Sequence, residues 1–436
     1  MDDQEGRVDR GARVTAPRQG PLVIVGQGYV GLPIAMRAVE AGFSVVGLDV
    51  DSVRVWSLKD GKSYVDDVSD SALRQALSSG RYLPSSSYDD AAGFSGAIIT
   101  VPTPLKDSAP DLSFIESATE GIAVHLRRGA TVVLESTTYP GTTEQLVVPA
   151  LEAGSGLRAG IDFSVGYSPE RLDPGNDRWN FVNTPKIISG VNKSSLLAVQ
   201  ALYNQLVDTT IAVSGPKEAE LTKLLENTFR HVNIALINEI AVFAHELEVD
   251  IWEAIDAAST KPFGYLRFTP GPGVGGHCLP VDPTYLSWQV RHDLNRSFRF
   301  VALANDINDH MPEYVVQRLT TLLNRQRKPL QDSVIILLGL SYKPNTSDIR
   351  ESPVLRVIEL LNELGVIVGV VDSHVEQHRC PPGIKLIDLA EHSLSQADAV
   401  VLLTDHDDVD YELVERASRC VLDTRHRLSG PRVEFL

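Results

Sequence analysis

The sequence predicts an α/β protein in which two Rossmann-like, doubly wound sheet domains are joined by a central helical dimerisation domain. Three observations carry that expectation. The apolar run Leu22-Val23-Ile24-Val25 leads into Gly26-Gln27-Gly28-Tyr29-Val30-Gly31, a helical pattern over residues 32–41, and a second apolar run ending in Asp49. A similar order of strand, turn, helix and strand returns between Ser333 and Asp372. Between the two, from Ser214-Gly215-Pro216 onward, the pattern changes to long helix. The expected divisions are a disordered tail at 1–20, a dinucleotide-binding domain at 21–213, the helical domain at 214–325 and a second Rossmann-like domain at 326–436.

In the first unit the spacing is informative because it matches a mechanism. Glycines permit a tight turn and let a pyrophosphate approach a helix N-terminus, and an acid about twenty residues on can bind a ribose 2′-hydroxyl. Gly26, Gly28, Tyr29, Val30 and Gly31 are therefore candidate cofactor contacts, with Asp49 23 positions after the first glycine. Asp49 favours NAD over NADP because it would repel a 2′-phosphate, although Arg54 stands close by. Further short strands, at Ala97 to Val101, Thr131 to Ser136 and Phe163 to Tyr167, each end in a polar or proline-rich turn. Ligands of doubly wound sheets bind beyond the carboxyl ends of strands, which singles out Thr103, Thr137 and Glu170.

The helical unit starts where Ser214 can cap and Pro216 suits a first turn. Lys223 and Asn227 are four apart and share a helical face, where an ammonium and an amide could hydrogen-bond a developing oxyanion. Downstream, Gly271-Pro272-Gly273-Val274-Gly275-Gly276-His277-Cys278-Leu279-Pro280-Val281-Asp282-Pro283 reads as a shaped loop that presents Cys278, a candidate nucleophile. In the last unit only Gly339 remains of the glycine fingerprint, and the distance to the acid has grown to 33 residues. A sheet that has lost dinucleotide binding and holds another phosphate ligand through cations fits this, with Lys343, Arg350 and Arg425 as candidates.

Composition excludes other classes. A chain of 436 residues is too long for one core. The net charge of −17 argues against nucleic-acid binding, and no apolar run approaches the length of a membrane span. Cys278, Cys380 and Cys420 are too few and too far apart for a disulfide framework, as expected of a cytoplasmic protein. His374, His378 and Cys380 lack a second half-site, and Asp405-His406-Asp407-Asp408 reads as a solvated loop, so no metal is expected.

With these pieces assembled, the chain from about Leu22 to Arg425 resembles the UDP-glucose/GDP-mannose dehydrogenase family. The resemblance rests on Gly26 to Gly31, Val101-Pro102-Thr103-Pro104, Ser168-Pro169-Glu170, Lys223-Leu224-Leu225-Glu226-Asn227 and the Gly273 to Asp282 stretch. Glu135 to Thr143 and Thr260-Lys261-Pro262-Phe263-Gly264 resemble the branch containing UDP-N-acetylglucosamine 6-dehydrogenases. It implies a homodimer that uses NAD to oxidise the C6 hydroxyl of a nucleotide hexose, UDP-N-acetylglucosamine or UDP-glucose, to a uronate. Cys278 would form a thiohemiacetal and then a thioester. Lys223 and Asn227 would steady the charged oxygen, and Thr137, Glu170 and Asp282 would move protons or position water. Arg350 would join the cofactor contacts. Leu172, Glu170, Lys223, Asn227, Arg267, Gly275, Lys343 and Arg425 would meet the substrate. One departure is Pro174, where many relatives carry a second glutamate.

The chemistry also fits the residues themselves, because a thiol adduct turns an aldehyde back into a hydride donor while keeping it attached. The alternatives are a dTDP-glucose 6-dehydrogenase of secondary-metabolite glycosylation, a two-electron dehydrogenase or epimerase needing no cysteine, and a non-catalytic nucleotide-sugar-binding protein.

Overall fold

Strand β1 (Leu22–Val25) is apolar at every position and buried on both faces, the signature of an inner parallel strand. It feeds helix α1 (Gly31–Glu40), then β2 (Val45–Leu48), α2 (Ser52–Lys59), α3 (Asp70–Ser78), β3 (Tyr82–Ser85) and β4 (Gly96–Ile99). A short hairpin, β5 (Leu105–Lys106) with β6 (Ala109–Pro110), precedes α4 (Ser113–Ala123), β7 (Thr131–Leu134), α5 (Val148–Ser155) and β8 (Ser164–Tyr167). The pair β9 (Lys186–Ile188) and β10 (Thr210–Ala212) brackets α6 (Lys193–Tyr203). This computed structural model describes residues 20–107, 109–171, 176, 178–276 and 278–436, with the Cys278 side chain excepted. The tail expected at 1–20 lies, apart from Gly20, outside the described residues, as do Leu172, Asp173, Pro174 and His277.

The six main strands lie parallel in the order β3-β2-β1-β4-β7-β8, the doubly wound arrangement whose order reverses between β1 and β4. Leu22 and Ile24 pack with α1, α3 and α6, while Val23 and Val25 pack with α4 and α5. The turn at the reversal needs its glycines. Gly26 has φ of +93°, and a Cβ on Gly31 would stand 1.8 Å from the Gly26 carbonyl oxygen.

A buried ion pair ties the carboxyl edge of this sheet together. Lys186 Nζ donates to Glu135 Oε2 at 2.6 Å, just past β7, and to the Pro169 carbonyl at 3.0 Å, just past β8. The Tyr203 hydroxyl donates to the other oxygen of Glu135, and the rings of Phe181 and Tyr203 flank the ammonium.

Central helices follow: α7 (Pro216–Glu246), α8 (Ile251–Ser259), α9 (Cys278–Leu294), α10 (Arg299–Asp309) and α11 (Met311–Arg325). Ser214 does not cap α7. The helix begins one residue later than expected, so Gly215 occupies the cap position and gives no side-chain bond. The expectation of a loop through Cys278 is also corrected, because Cys278 opens α9. Pro280 is tolerated in a first turn whose N–H groups lack intrahelical partners, and Pro283 costs one helical bond. No helix among the described residues is long and apolar enough to cross a membrane.

The last sheet contains β11 (Val334–Leu338), β12 (Ile367–Val371), β13 (Ala399–Leu402), β14 (Val421–Asp423) and β15 (Val433–Phe435). The order β12-β11-β13-β14-β15 is parallel and reverses between β11 and β13. Helix α12 (Pro353–Glu363) joins α11 on one face, while α13 (Glu391–Gln396) and α14 (Tyr411–Ala417) cover the other.

Lys186→Met leaves Glu135 as an unpaired buried carboxylate and is expected to cost about 3–5 kcal/mol. Adding Glu135→Leu should recover most of that loss in urea unfolding. A single variant as stable as the double would contradict the pair's role.

Candidate active site

The first constellation lies at the reversal point of the N-terminal sheet. Val30 gives α1 no side-chain cap, Leu32 N donates to the Gly28 carbonyl at 3.1 Å and Pro33 has no N–H, so a pyrophosphate here would meet the backbone of the turn from Gly28 to Gly31, and a Cβ on Gly28 would meet nothing within 4 Å. Open space above a glycine at a helix N-terminus fits a dinucleotide pyrophosphate. Asp49 is buried and accepts from the backbone N–H of Gln27 and of Asp51, both at 2.9 Å, leaving lone pairs on each oxygen for a ribose. Arg54 is drawn to the carboxylates of Asp49 and Asp51, at 3.7 and 3.6 Å. Thr103 is buried, and its carbonyl accepts from the Tyr285 hydroxyl at 2.9 Å, which ties the β4 turn to α9; Thr137 is half-buried just past β7.

The C-terminal domain reaches this turn. The Arg350 guanidinium lies 5.0 Å from the centre of the Tyr29 ring and is held by both oxygens of Asp348, with Nε 2.9 Å from Oδ1 and Nη2 2.6 Å from Oδ2. Arg379 donates to the Tyr29 hydroxyl at 3.4 Å and to Ser347 Oγ at 2.7 Å, and Ser347 donates to Asp66 at 2.8 Å.

A second constellation gathers α7, the β8 edge and α9. Lys223 is buried, and its Nζ donates to Glu170 Oε2 at 3.1 Å and to the Glu170 carbonyl at 3.2 Å. One turn further along α7, Asn227 Nδ2 donates to Asp282 Oδ2 at 2.6 Å. Asp282 is fully buried in the first turns of α9, and its Oδ1 has no partner among the described residues. Burial pushes its carboxyl up to about 6 against the opposing pull of the Lys223 charge and the Asn227 bond. The four residues thus offer an ammonium, an amide donor and two carboxylates, one of them able to trade a proton near neutrality.

Glu220 was not singled out by the sequence, although it lies three residues before Lys223 on the same helical face. It accepts from Gly141 N at 2.6 Å, Thr143 N at 2.9 Å and Thr143 Oγ1 at 2.7 Å, and so moors the loop after β7 to α7. Beside it, Arg171 forks onto Glu226, with Nη2 at 2.7 Å and Nε at 3.3 Å from the two oxygens.

The glycine stretch before Cys278 rests on the C-terminal domain. Gly276 N donates to the Arg350 carbonyl at 2.9 Å, and a Cβ on Gly276 or Gly275 would strike Tyr342 at 2.7 or 2.6 Å. Arg425, half-buried with Nε on the Leu403 carbonyl at 2.7 Å, lies under Gly271. Lys343 is half-buried in the turn that carries Tyr342. These four predicted positions therefore come together. Arg267 does not join them; it is exposed and pairs with Asp256 on α8. Cys278 is placed by its backbone alone, one helical turn before Asp282, and Leu172 lies outside the described residues.

The two clusters considered for metal also rearrange. His378 pairs with Glu376 and Cys380 Sγ meets the Glu376 carbonyl, whereas His374 meets His406 and Asp408 across the sheet edge.

Comparison with known proteins gives three consecutive matches to models of the UDP-glucose/GDP-mannose dehydrogenase family. They are its NAD binding domain over residues 21–207, its central domain over 217–310 and its UDP binding domain over 336–430. The UDP-N-acetyl-D-mannosamine dehydrogenase of Pyrococcus horikoshii is 36% identical over 421 residues, covering 95% of this chain and 97% of that protein. The UDP-N-acetyl-D-glucosamine 6-dehydrogenase of Salmonella typhi is 35% identical, covering 88% and 89%. Among solved structures, a UDP-D-ManNAc dehydrogenase from P. horikoshii matches with a TM-score of 0.86 at 35% identity, over 95% of this chain and 98% of that one. A UDP-glucose dehydrogenase from Pyrobaculum islandicum matches with 0.84 at 28%, over 99% and 98%.

Burial also holds the Glu220 carboxyl up, to about 7, against the bonds from Thr143 and Gly141. The native state then keeps a proton that the unfolded chain has lost between about pH 4.5 and 7, so stability falls as pH rises through that window. Glu220→Gln is expected to flatten this slope, by an amount on the order of 3 kcal/mol across the window, in denaturation curves taken at several pH values. An unchanged slope would show that Glu220 is ionised in the folded protein.

Proposed function

The chain belongs to the UDP-glucose/GDP-mannose dehydrogenase family of NAD-dependent oxidoreductases, and on that premise we propose that it oxidises the C6 hydroxyl of a UDP-N-acetylhexosamine to the carboxylate, a four-electron reaction. One observation carries the reading: the Lys223–Glu170 and Asn227–Asp282 pairs converge beside the helix that Cys278 opens. The N-acetylhexosamine class is supported by the two relatives above, both named as dehydrogenases of UDP-N-acetyl sugars.

The turn from Gly26 to Gly31, with Asp49, Thr103 and Arg350, would hold the dinucleotide. When bound, NAD⁺ supplies a hydride acceptor, and two such acceptances carry a primary alcohol to the acid level. The chain's own residues account for the rest. Cys278 sulfur adds to the C6 aldehyde, and the new alkoxide falls to Lys223 and Asn227, whose N–H groups stabilise it. The thioester left by the second oxidation is cleaved by water, and Asp282, with its carboxyl up near 6 and one oxygen unpartnered among the described residues, takes the proton of that water. Glu170 aims the Lys223 ammonium, while Thr137 lies at the neighbouring strand end. Arg425, which lies under the loop before Cys278, and Lys343, next to the Tyr342 that supports it, would bind the nucleotide sugar.

Helix α7 also supports a homodimer. Leu221, Leu225, Phe229, Leu236, Ile240, Phe243 and Leu247 are 39–73% exposed along one helical stripe, opposite the face bearing Lys223. A second copy of the chain packing its own α7 there would bury them.

Product analysis should give two NADH per sugar and a uronate, and Cys278→Ala should abolish uronate formation. One NADH per sugar, or full turnover without the thiol, would discard the thioester route. Lys223→Ala is expected to lower kcat by about 10²–10³. Leu225→Glu together with Phe229→Glu should halve the solution mass in light scattering, and an unchanged mass would remove α7 from the interface.

A further inference from the structure

His406 is fully buried at the reversal point of the C-terminal sheet, and the mechanism above makes no use of it. Its ring state can be read from its partners. The backbone N–H of Asn345 can only donate, and it meets Nδ1 of His406 at 3.0 Å. Nδ1 is therefore the acceptor, and the ring proton sits on Nε2. That nitrogen donates to Asp372 Oδ2 at 3.1 Å and faces Ser341 Oγ at 3.3 Å. Asp372 is anchored in turn by the backbone N–H groups of Leu340 at 2.7 Å and Ser341 at 3.0 Å. With both ring nitrogens engaged, His406 has none to spare for an ion shared with His374 and Asp408.

The residues so gripped are the two ends of one turn, Ser341 to Asn345. Inside it the Lys343 carbonyl accepts from Ser341 Oγ at 3.0 Å and from Thr346 Oγ1 at 3.2 Å. Asn345 has a positive φ of 59°, and its side chain exchanges bonds of 2.7 and 2.9 Å with Asp407. The Tyr342 ring of the same turn supports Gly276, two residues before Cys278.

We propose that His406 is a positioning residue for the substrate: its Nδ1, by holding the Asn345 amide, fixes the turn that presents Lys343 to the nucleotide. This rests on the assignment of Lys343 to the nucleotide-sugar site. The two nitrogens can be tested separately, because asparagine places an acceptor where Nδ1 lies and glutamine places a donor where Nε2 lies.

The experiment is calorimetric titration of the whole enzyme with UDP, and separately with NAD⁺, for the unaltered chain, His406→Asn, His406→Gln and Ser341→Ala. His406→Asn should bind UDP within about threefold of the unaltered enzyme, and His406→Gln about tenfold more weakly. Ser341→Ala, which loosens the same turn by another route, should also weaken UDP. NAD⁺ binding, which reports that each variant is folded, should be unchanged in all. Equal weakening by the Asn and Gln variants, or no weakening by Gln, would overturn the proposal. If the unaltered enzyme binds NAD⁺ but not UDP, the nucleotide assignment itself fails and the proposal with it.

Discussion

The site depends on one buried charge pair. Lys186 joins the strand ends of β7 and β8 through Glu135 and the Pro169 carbonyl, and the next residue, Glu170, receives Lys223. Lys223 in turn fixes the rotation of α7, which brings Asn227 onto Asp282 at the start of α9. Each link is a hydrogen bond between charged or polar groups in a region nearly closed to water, where an unpaired member would be costly. The pair is thus less a source of net stability than a ruler, because its desolvation offsets most of its attraction while its geometry admits one arrangement.

The two sheets answer the same problem twice. In each, an acid at the end of the second strand collects backbone N–H groups from the turn after the first: Asp49 takes Gln27, and Asp372 takes Leu340 and Ser341. Backbone donors buried in a tight turn need such an acceptor. The difference lies above the turn. In the N-terminal sheet Gly28 faces open space, whereas in the C-terminal sheet His406 fills the corresponding crevice and ties down a longer turn. A shared backbone solution therefore supports one turn that can close on a pyrophosphate and another that displays side chains.

Much of this could be read from the sequence where the determinants were local. The run from Leu22 to Asp49 is legible because strand, turn, helix and acid follow one another within thirty residues, and Lys223 and Asn227 are legible because four residues make a helical turn. What the sequence hid was set by distant partners. Asn345 and His406 are 61 residues apart, and Lys186 meets Glu135 across 51, so neither bond leaves a periodic trace. The charged run from Asp405 to Asp408 looked like solvated loop because nothing local says that His406 is fully buried. The glycine and proline content around Cys278 argued for loop throughout, yet prolines in a first helical turn forfeit little, and α9 begins there. The strands β3, β10 and β15 went unread because none is a continuous buried apolar run: β3 contains Pro84, and β10 and β15, with Thr210 and Glu434, are only partly buried.

Helix α7 turns Glu220, Lys223 and Asn227 inward while its opposite side carries the stripe from Leu221 to Leu247. Of its 31 residues, twelve are buried and six more belong to the stripe, so more than half answer to one side or the other. Substitutions here face two simultaneous constraints, whereas α3, with one buried flank and one polar flank, faces a single one. Among homologous chains, drift should accordingly run slowest along α7, and a sequence alignment would find its most rigid stretch in a helix rather than in the glycine turns.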